Sequence, residues 1–476
     1  MQYLTWAYVI LIYAFLPLFM RQDYYELGEA KGLAYLFISG GAAILMLIAM
    51  AVKGDLKKLF SKKEPDIRTY AVAVFLLPGI LTFLSATDKE VSLVGLPGWR
   101  TGFITILLMV FFMAVSARYI RAEGYMLVAM LITPFFEFVM GILNSFSVRP
   151  LDLYGANGSF LATIGNVNWY AGFLSIFVPM GVGLLSAQKR FSFKFYLCLA
   201  YVCLGVMALL TQGSDSAVLV IAGTYAALLV FCLRDRDSFR GFLVQLTVLG
   251  IVMELCRVLT TVFDGRYGYD DSLAVRLCDM RIGMILVALA LLLYRLSRLF
   301  EEIKMPWKEK TYGIMAAVIM AAGAIAGVVY LMLNFDLSYG NSRGVIWSIS
   351  LDMFNGLSPW RKMVGVGQDC FYQYAYSDPV TAESLLNIFN GNRLTNAHCE
   401  LLTILIERGI LGVVSYLFLF GVALLHFRQN KRERNILLFA LPVIAYFCYG
   451  LVSFSQIMST PYFFMMLGMG MSLSSS

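Results

Sequence analysis

The stretch 195–212, "FYLCLAYVCLGVMALLTQ", decides the class of fold. It has 18 residues and no charged side chain, and as a helix it nearly spans the roughly 30 Å hydrocarbon core of a bilayer. Similar apolar segments recur along the whole chain of 476 residues, which is 60% hydrophobic and 14% charged. An average soluble domain is about 25% charged. The sequence therefore predicts a polytopic membrane protein.

Inside a bilayer the backbone must satisfy its own hydrogen bonds, so uninterrupted apolar runs favour helices over a barrel. We predict an all-α integral membrane protein with about fourteen transmembrane helices. The chain forms one multi-span domain over 1–476. The predicted spans are 4–20, 32–52, 69–86, 101–118, 124–144, 168–186, 195–212, 217–233, 241–261, 282–298, 311–334, 410–427, 436–454 and 458–474. The first lacks a basic leader and a small-residue cleavage site, which indicates a retained helix.

Cationic residues concentrate in alternate loops. These loops are 53–68, 119–123, 187–194, 234–240, 299–310 and 428–435. Cytoplasmic loops of membrane proteins carry excess Lys and Arg, so both termini are predicted to be cytoplasmic. The formal net charge of +7 is then mostly a signal of topology, and we do not expect nucleic-acid binding.

One outer segment, 335–409, is too long to be a simple connector, and we expect it to contain short helices. It includes His398, one of two histidines in the chain. Thr395 or Asn396 is a suitable cap for a helix beginning at Ala397. His398 would then lie in the first turn, where the helix dipole disfavours imidazolium. A neutral imidazole can act as a general base; the alternative is a histidine merely exposed at the membrane surface.

Upstream in the same segment, Arg343 and Trp347 lie four residues apart on one face of a predicted helix over 340–354. They fit either a phosphate-binding arginine or an interfacial anchor with a snorkelling arginine. Gly365 and Gly367 indicate a tight turn or a close backbone approach. Without a Walker lysine they are weak indicators of a phosphate loop. No spacing of residues predicts a metal site, and the sequence leaves open whether Cys370 and Cys399 pair.

Several motifs occur in an order that resembles the O-antigen ligase/polymerase family of bacterial surface-polysaccharide enzymes. The similarity covers roughly 90–425. The motifs are "GLPGWRTGF" (95–103), "TIGNVNWYAGFL" (163–174), "RGVIW" (343–347), "GVGQDCF" (365–371) and "AHCELLTILIERGILG" (397–412). The chain departs from the family pattern twice: Cys399 stands where many members have asparagine, and Asp215 where they usually have arginine.

The resemblance implies inverting transfer of a glycan from an undecaprenyl-(pyro)phosphate carrier to an acceptor hydroxyl outside the bacterial cytoplasmic membrane. It implies His398 as the base, with Arg343 and Arg100 stabilising the departing phosphate. The implied supporting residues are Glu400, Trp347, Asn166, Asn168, Gly365 and Gly367. The donor is already activated, so no cofactor is expected. The acceptor could be a glycan, a lipid or a wall polymer, and neither the choice between ligase and polymerase nor the oligomeric state is fixed.

A carrier, such as a flippase for lipid-linked oligosaccharides, is the alternative. Carriers place ionisable groups near the bilayer midplane. The predicted spans contain few such groups, Glu137, Glu254 and Arg257 being exceptions. The richest set of polar residues lies on one outer face, which favours an enzyme.

Overall fold

The computed structural model describes residues 1–54, 67–120, 124–334, 339–433 and 435–473. The described chain is almost entirely helical. Its helices are α1 (Gln2–Leu18), α2 (Leu27–Val52), α3 (Ile67–Ser85), α4 (Lys89–Val94), α5 (Phe103–Tyr119), α6 (Gly124–Ser145), α7 (Val167–Ser186), α8 (Phe193–Thr211), α9 (Ser216–Cys232), α10 (Arg236–Val262), α11 (Leu273–Asp279), α12 (Ile282–Glu302), α13 (Glu309–Asn334), α14 (Tyr339–Gly356), α15 (Pro359–Val364), α16 (Phe371–Ala375), α17 (Pro379–Ile388), α18 (Glu400–Gln429), α19 (Ile436–Gly450) and α20 (Thr460–Ser472). A π-helical turn interrupts α1, and a two-stranded ribbon, β1 (Phe160–Leu161) with β2 (Gly165–Asn166), precedes α7.

The prediction of an all-α membrane protein is confirmed at this level. Eight helices in the described residues are long and apolar enough to cross a membrane, namely α2, α3, α6, α7, α8, α10, α12 and α18. Shorter apolar helices are α1, α5, α9 and α19. Each predicted span overlaps one helix, those near 311–334 and 458–474 being α13 and α20.

Four of the predicted cytoplasmic loops meet at one end of the helix bundle. Arginine side chains join them through contacts to carbonyl or carboxylate groups: Arg190 to Asp237, Arg234 to Lys431, Arg236 to Met305 and Arg240 to Glu301. The grouping agrees with the charge pattern of the sequence. Residues 55–66 and 121–123 of the other two loops, and residue 434, lie outside the described residues.

The polar loops predicted to lie outside meet at the opposite end. Thr87 donates its backbone N–H to the carbonyl of Val366 at 2.8 Å, and Ser147 donates its hydroxyl to the carbonyl of Arg266 at 2.7 Å. The predicted outer segment 335–409 contains four short helices, α14 to α17; residues 335–338 are not among those described. It has a small apolar core of its own, including Ile346, Leu357, Val366, Cys370, Phe371, Ala375, Leu385, Leu394, Ala397 and Ile406.

Helix α7 forms the centre of the bundle and connects the two ends. Most of its side chains are buried, and glycines let neighbouring helices approach its backbone. A Cβ on Gly183 would lie 2.4 Å from the carbonyl oxygen of Leu437 in α19. Small residues allow this close packing of helices within a membrane, where apolar side chains gain little by leaving lipid. Helix α7 therefore links the polar loops at one end of the bundle to the cationic loops at the other.

Candidate functional site

The chain around His398 is not helical, which corrects the sequence prediction. Helix α18 begins at Glu400 rather than at Ala397, with Cys399 as its N-cap. His398 precedes the helix in the left-handed region, at φ 48°, and its backbone N–H donates to Asn396 Oδ1 at 3.0 Å. Such a conformation is uncommon for a residue other than glycine and often occurs at functional sites.

The imidazole of His398 is neutral for a different reason than the one predicted. Its ring is half-buried and meets the ring of Phe454 edge to face, with 5.1 Å between centroids. Burial, and secondly the positive charge of Arg343, lower the pKa of His398 from 6.5 to about 4. His398 itself lies before the first turn of α18. At neutral pH the ring can accept a proton.

Arg343 is buried on α14, with 9% of its surface exposed. Its Nε donates to the carbonyl of Val452 at 3.1 Å. A snorkelling arginine would keep its guanidinium in water, so this position does not fit the anchor interpretation. Trp347, one turn further along α14, packs against the small core of the outer segment.

The segment 451–459, between α19 and α20, brings these groups together, and the sequence reasoning missed it. Val452 accepts from Arg343, and the buried ring of Phe454 contacts His398. Gln456 donates through Nε2 to the carbonyl of Trp169 at 3.2 Å. The polar run "SFSQ" at 453–456, between two apolar helices, is the signal in the sequence that could have marked this segment.

Arg100 is engaged by a carboxylate. Its Nε lies 3.1 and 3.0 Å from the two oxygens of Glu29, and its Nη2 contacts the same group. Glu29 also accepts from the backbone N–H of Gly98 at 2.7 Å. The neighbouring Trp99 meets Phe454 edge to face at 5.1 Å between centroids. Arg100 thus holds the loop that supports the histidine site, and its charge is already paired.

Asp369 fastens the same loop to the outer segment. One of its carboxylate oxygens, Oδ2, accepts from the backbone N–H of Leu96 at 2.7 Å and of Thr101 at 3.1 Å. Burial raises the pKa of Asp369 from 3.8 to about 6, although these hydrogen bonds favour the ionised form. Sequence reasoning did not single out this residue, which lies inside the quoted "GVGQDCF" motif.

Gly365 and Gly367 permit a close backbone approach, one of the two roles left open. The backbone N–H of Gly367 donates to the carbonyl of Glu407 at 3.1 Å. Gly365 has φ 79°, and a Cβ there would lie 2.1 Å from the same carbonyl oxygen. Across the contact, Gly409 has φ 67° and breaks α18. These glycines fasten the outer segment to the break in α18.

Asn166 and Asn168 stabilise the start of α7. Asn166 caps the helix, its side chain accepting from the backbone N–H of Asn168 at 2.9 Å. The Asn168 side chain accepts from the hydroxyl of Ser214 at 2.9 Å. Next to that serine, Asp215 accepts from the backbone N–H of Leu273 at 2.8 Å. Asp215 stands where the O-antigen ligase/polymerase family usually has arginine, and in this chain it holds the start of α11 in place.

Behind the histidine, a cavity of about 50 Å³ has Glu400, Glu407 and Arg408 in its wall. Each of the three is at least nine-tenths buried. Glu400 Oε1 accepts from the hydroxyl of Tyr446 at 3.4 Å, while its Oε2 has no hydrogen-bond partner among the described residues. A polar cavity of this size can hold a few water molecules. Glu400 therefore faces this cavity rather than the ring of His398.

Metal ligands do not cluster in the described part of the chain, where no three His, Cys, Asp or Glu side chains come close enough to share an ion. Cys370 and Cys399 are free thiols.

Comparison with protein-family models and with curated proteins finds no match for this chain. The resemblance to the O-antigen ligase/polymerase family therefore stays a prediction from short motifs.

Proposed function

We propose that the protein transfers a glycan from a polyprenyl (pyro)phosphate donor to an acceptor hydroxyl at the His398 end of the bundle. One observation carries the proposal: an unprotonated imidazole and a buried guanidinium meet on the same segment, 451–459. The imidazole can act as a general base, and the guanidinium can bind the phosphate of the leaving group. The motifs quoted above point to the same chemistry.

In the proposed step, a ring nitrogen of His398 removes the proton from the acceptor hydroxyl. The acceptor oxygen forms a bond to the anomeric carbon while the bond from that carbon to the phosphate oxygen breaks, and its electron pair stays on the phosphate. Attack on the face opposite the leaving group inverts the anomeric centre. Arg343 stabilises the negative charge that develops on the leaving oxygen, an electrostatic contribution that is often the largest in catalysis.

Donor binding also makes His398 a better base. In the free protein the charge of Arg343 contributes to the low pKa of the imidazole. A phosphate placed against Arg343 would offset that charge, and a negative group nearby favours imidazolium. The pKa of His398 therefore rises when the donor binds, which brings it closer to the operating pH where a general base is most effective.

Arg100 has a positioning role in this proposal. Its guanidinium already faces Glu29, and this pairing reduces its net contribution to a bound phosphate. Through the loop that carries Trp99 it holds Phe454 beside His398.

The experiment compares surface-glycan length and accumulated lipid-linked glycan in cells producing His398→Ala or Arg343→Gln protein. His426→Ala is the matched control, because it removes the other histidine, at the opposite end of the chain's last long helix. We expect His398→Ala and Arg343→Gln to accumulate donor without forming polymer, and His426→Ala protein to retain activity. Normal polymer from a well-folded His398→Ala protein would refute the base assignment.

A carrier of lipid-linked glycans is the second candidate, and one observation favours it. Lys31 and Glu137 are both fully buried within the bundle. Lys31 Nζ donates to the carbonyl of Leu16 at 3.3 Å and Glu137 accepts from Thr163, so each is held by polar groups. Buried ionisable groups in membrane helices often mark a transport path. Movement of a fluorescent lipid-linked glycan across the liposome membrane, without formation of a new glycosidic bond, would favour the carrier over the glycan-transferring enzyme.

A further inference from the structure

A second cavity lies at the end of the bundle opposite His398. It has a volume of about 250 Å³ and opens among the ends of α7, α9 and α10. Arg190 and Arg234 are in its wall, together with the amide of Gln245 and the apolar rings of Phe195 and Phe231. Helix α7 has 20 residues, which separates this cavity from the histidine site by about 30 Å.

The two arginines leave donors for a ligand. Arg190 contacts the carbonyl of Asp237 through Nη2 alone. Arg234 donates through Nε to Ser238 at 3.0 Å and to Asp235 Oδ2 at 3.2 Å, and through Nη1 to the carbonyl of Lys431 at 2.7 Å. Its Nη2, like the Nε and Nη1 of Arg190, has no acceptor within the described residues. Guanidinium groups with free N–H donors bind phosphate oxygens well.

Two carboxylates lie nearby: Asp235 Oδ2 is 3.2 Å from Arg234 Nε and pairs with it, and Asp237 is in the cavity wall. Asp235 caps α10 by accepting from the backbone N–H of Ser238 at 2.8 Å. The Asp237 side chain is 85% exposed and lies 3.6 Å from Arg240. The N-terminus of α10 adds a partial positive charge at the same place. Arg190 pairs with no carboxylate among the described residues, so an anion is favoured beside it and beside the free Nη2 of Arg234.

Deeper in the cavity, the side-chain oxygen of Gln245 is available to accept a hydrogen bond from a ligand. Gln245 is 4% exposed, and its Nε2 donates to the hydroxyl of Ser186 at 2.7 Å. That hydroxyl donates in turn to the carbonyl of Val182 at 3.0 Å, which fixes the orientation of the Gln245 amide. Its Oε1 is buried and lacks a partner in the part of the chain that the structure describes. Leaving such an acceptor unsatisfied is costly.

From these features we propose that the cavity binds a phosphate ester whose substituent carries a hydroxyl group. The phosphate would contact Arg190 and Arg234, and the hydroxyl would donate to Gln245 Oε1. The headgroup of phosphatidylglycerol has this chemistry, and so does soluble glycerol 3-phosphate. Cationic pockets between membrane helices are known to hold anionic lipid headgroups. The site is separate from His398 and does not depend on the function proposed there.

The test is native mass spectrometry of the full chain in detergent, titrated with four ligands. Phosphatidylglycerol has both charge and hydroxyl, phosphatidylmethanol has the charge alone, and phosphatidylcholine has no net charge. Glycerol 3-phosphate is the soluble form. We expect phosphatidylglycerol to bind about tenfold tighter than phosphatidylcholine, whose phosphate is accompanied by a choline cation that Arg190 and Arg234 repel. We expect it to bind several-fold tighter than phosphatidylmethanol.

Two variants separate the two contacts. Arg190→Gln should weaken binding of both anionic lipids about tenfold, whereas Gln245→Leu should abolish only the preference for phosphatidylglycerol over phosphatidylmethanol. Lys189→Gln, next to Arg190 but outside the cavity wall, is the control and should leave both affinities unchanged. If Gln245→Leu protein does not fold, Gln245→Met replaces it.

Unchanged binding of both anionic lipids to Arg190→Gln protein would overturn the phosphate site, and equal binding of phosphatidylglycerol and phosphatidylcholine to the wild type would overturn its preference for a net anionic ligand. Equal binding of phosphatidylglycerol and phosphatidylmethanol to the wild type would overturn the role of Gln245. If glycerol 3-phosphate binds as tightly as the lipid, the natural ligand is a soluble phosphate ester rather than a membrane lipid.

Discussion

The low pKa of His398 can be divided experimentally into its two causes. The lowering from 6.5 to about 4 corresponds to about 3 kcal/mol in favour of the neutral ring, at about 1.4 kcal/mol per pKa unit. Burial is the larger cause and the charge of Arg343 the smaller. Removing either cause must raise the pKa, because both disfavour imidazolium.

Arg343→Gln removes the charge and should raise the pKa of His398 by less than half of the lowering, to no more than about 5. Phe454→Ala opens the ring to water and should raise it further, towards the unperturbed 6.5. Arg343→Lys keeps the positive charge and is the matched control, with a pKa close to that of the wild type.

The assay is an NMR titration of protein carrying isotope-labelled histidine in detergent. With only His398 and His426 in the chain, two imidazole signals are expected, and His398→Gln assigns them. A wild-type pKa near 6.5 would refute the buried position of the ring. A larger rise in Arg343→Gln than in Phe454→Ala protein would refute the division between charge and burial. Either result would mean that burial and the charge of Arg343, in that order of size, do not account for the neutral form of His398.

Three further predictions concern the loops around the site. Gly365→Ala should destabilise the protein by several kcal/mol and lower its melting temperature in detergent, because the new Cβ would overlap a backbone carbonyl. Gly313→Ala is the control and should leave the melting temperature unchanged, because a Cβ at Gly313 would have no atom within 4 Å. Asn166→Ala should cost about 1 kcal/mol by removing a helix cap, and Asn166→Asp should restore the melting temperature. Glu29→Gln should weaken its contact with Arg100, lowering glycan transfer while leaving the protein folded; unchanged transfer would argue against the positioning role.

The start of α18 shows why local sequence rules failed near His398. Thr395 and Asn396 are good capping residues, and a helix from Ala397 was a reasonable prediction. In the structure Asn396 accepts from the backbone N–H of His398 at 3.0 Å, and Thr403 accepts from that of Ala397 at 3.1 Å. These side chains offer the backbone an alternative to the helical hydrogen bonds, so the helix begins only at Glu400.

The pairing of Arg100 with Glu29 also lay beyond sequence reasoning. The two residues are 71 positions apart, and nothing in either neighbourhood indicates the other. The resemblance implies a phosphate-binding role for Arg100, although in the structure its charge faces a carboxylate. Segment 451–459 was overlooked for the same reason: its role depends on contacts with α14 and with the residues before α18, both distant in the chain.

The sequence by itself determined the class of fold and the approximate positions of the helices. The length of the apolar segments and the charge of the loops are local properties of the sequence, and they decide which segments can cross a bilayer. Only the tertiary structure decided what surrounds His398. Burial, the charge of Arg343 and the ring of Phe454 come from separate parts of the chain, and a pKa depends on which groups are near in space.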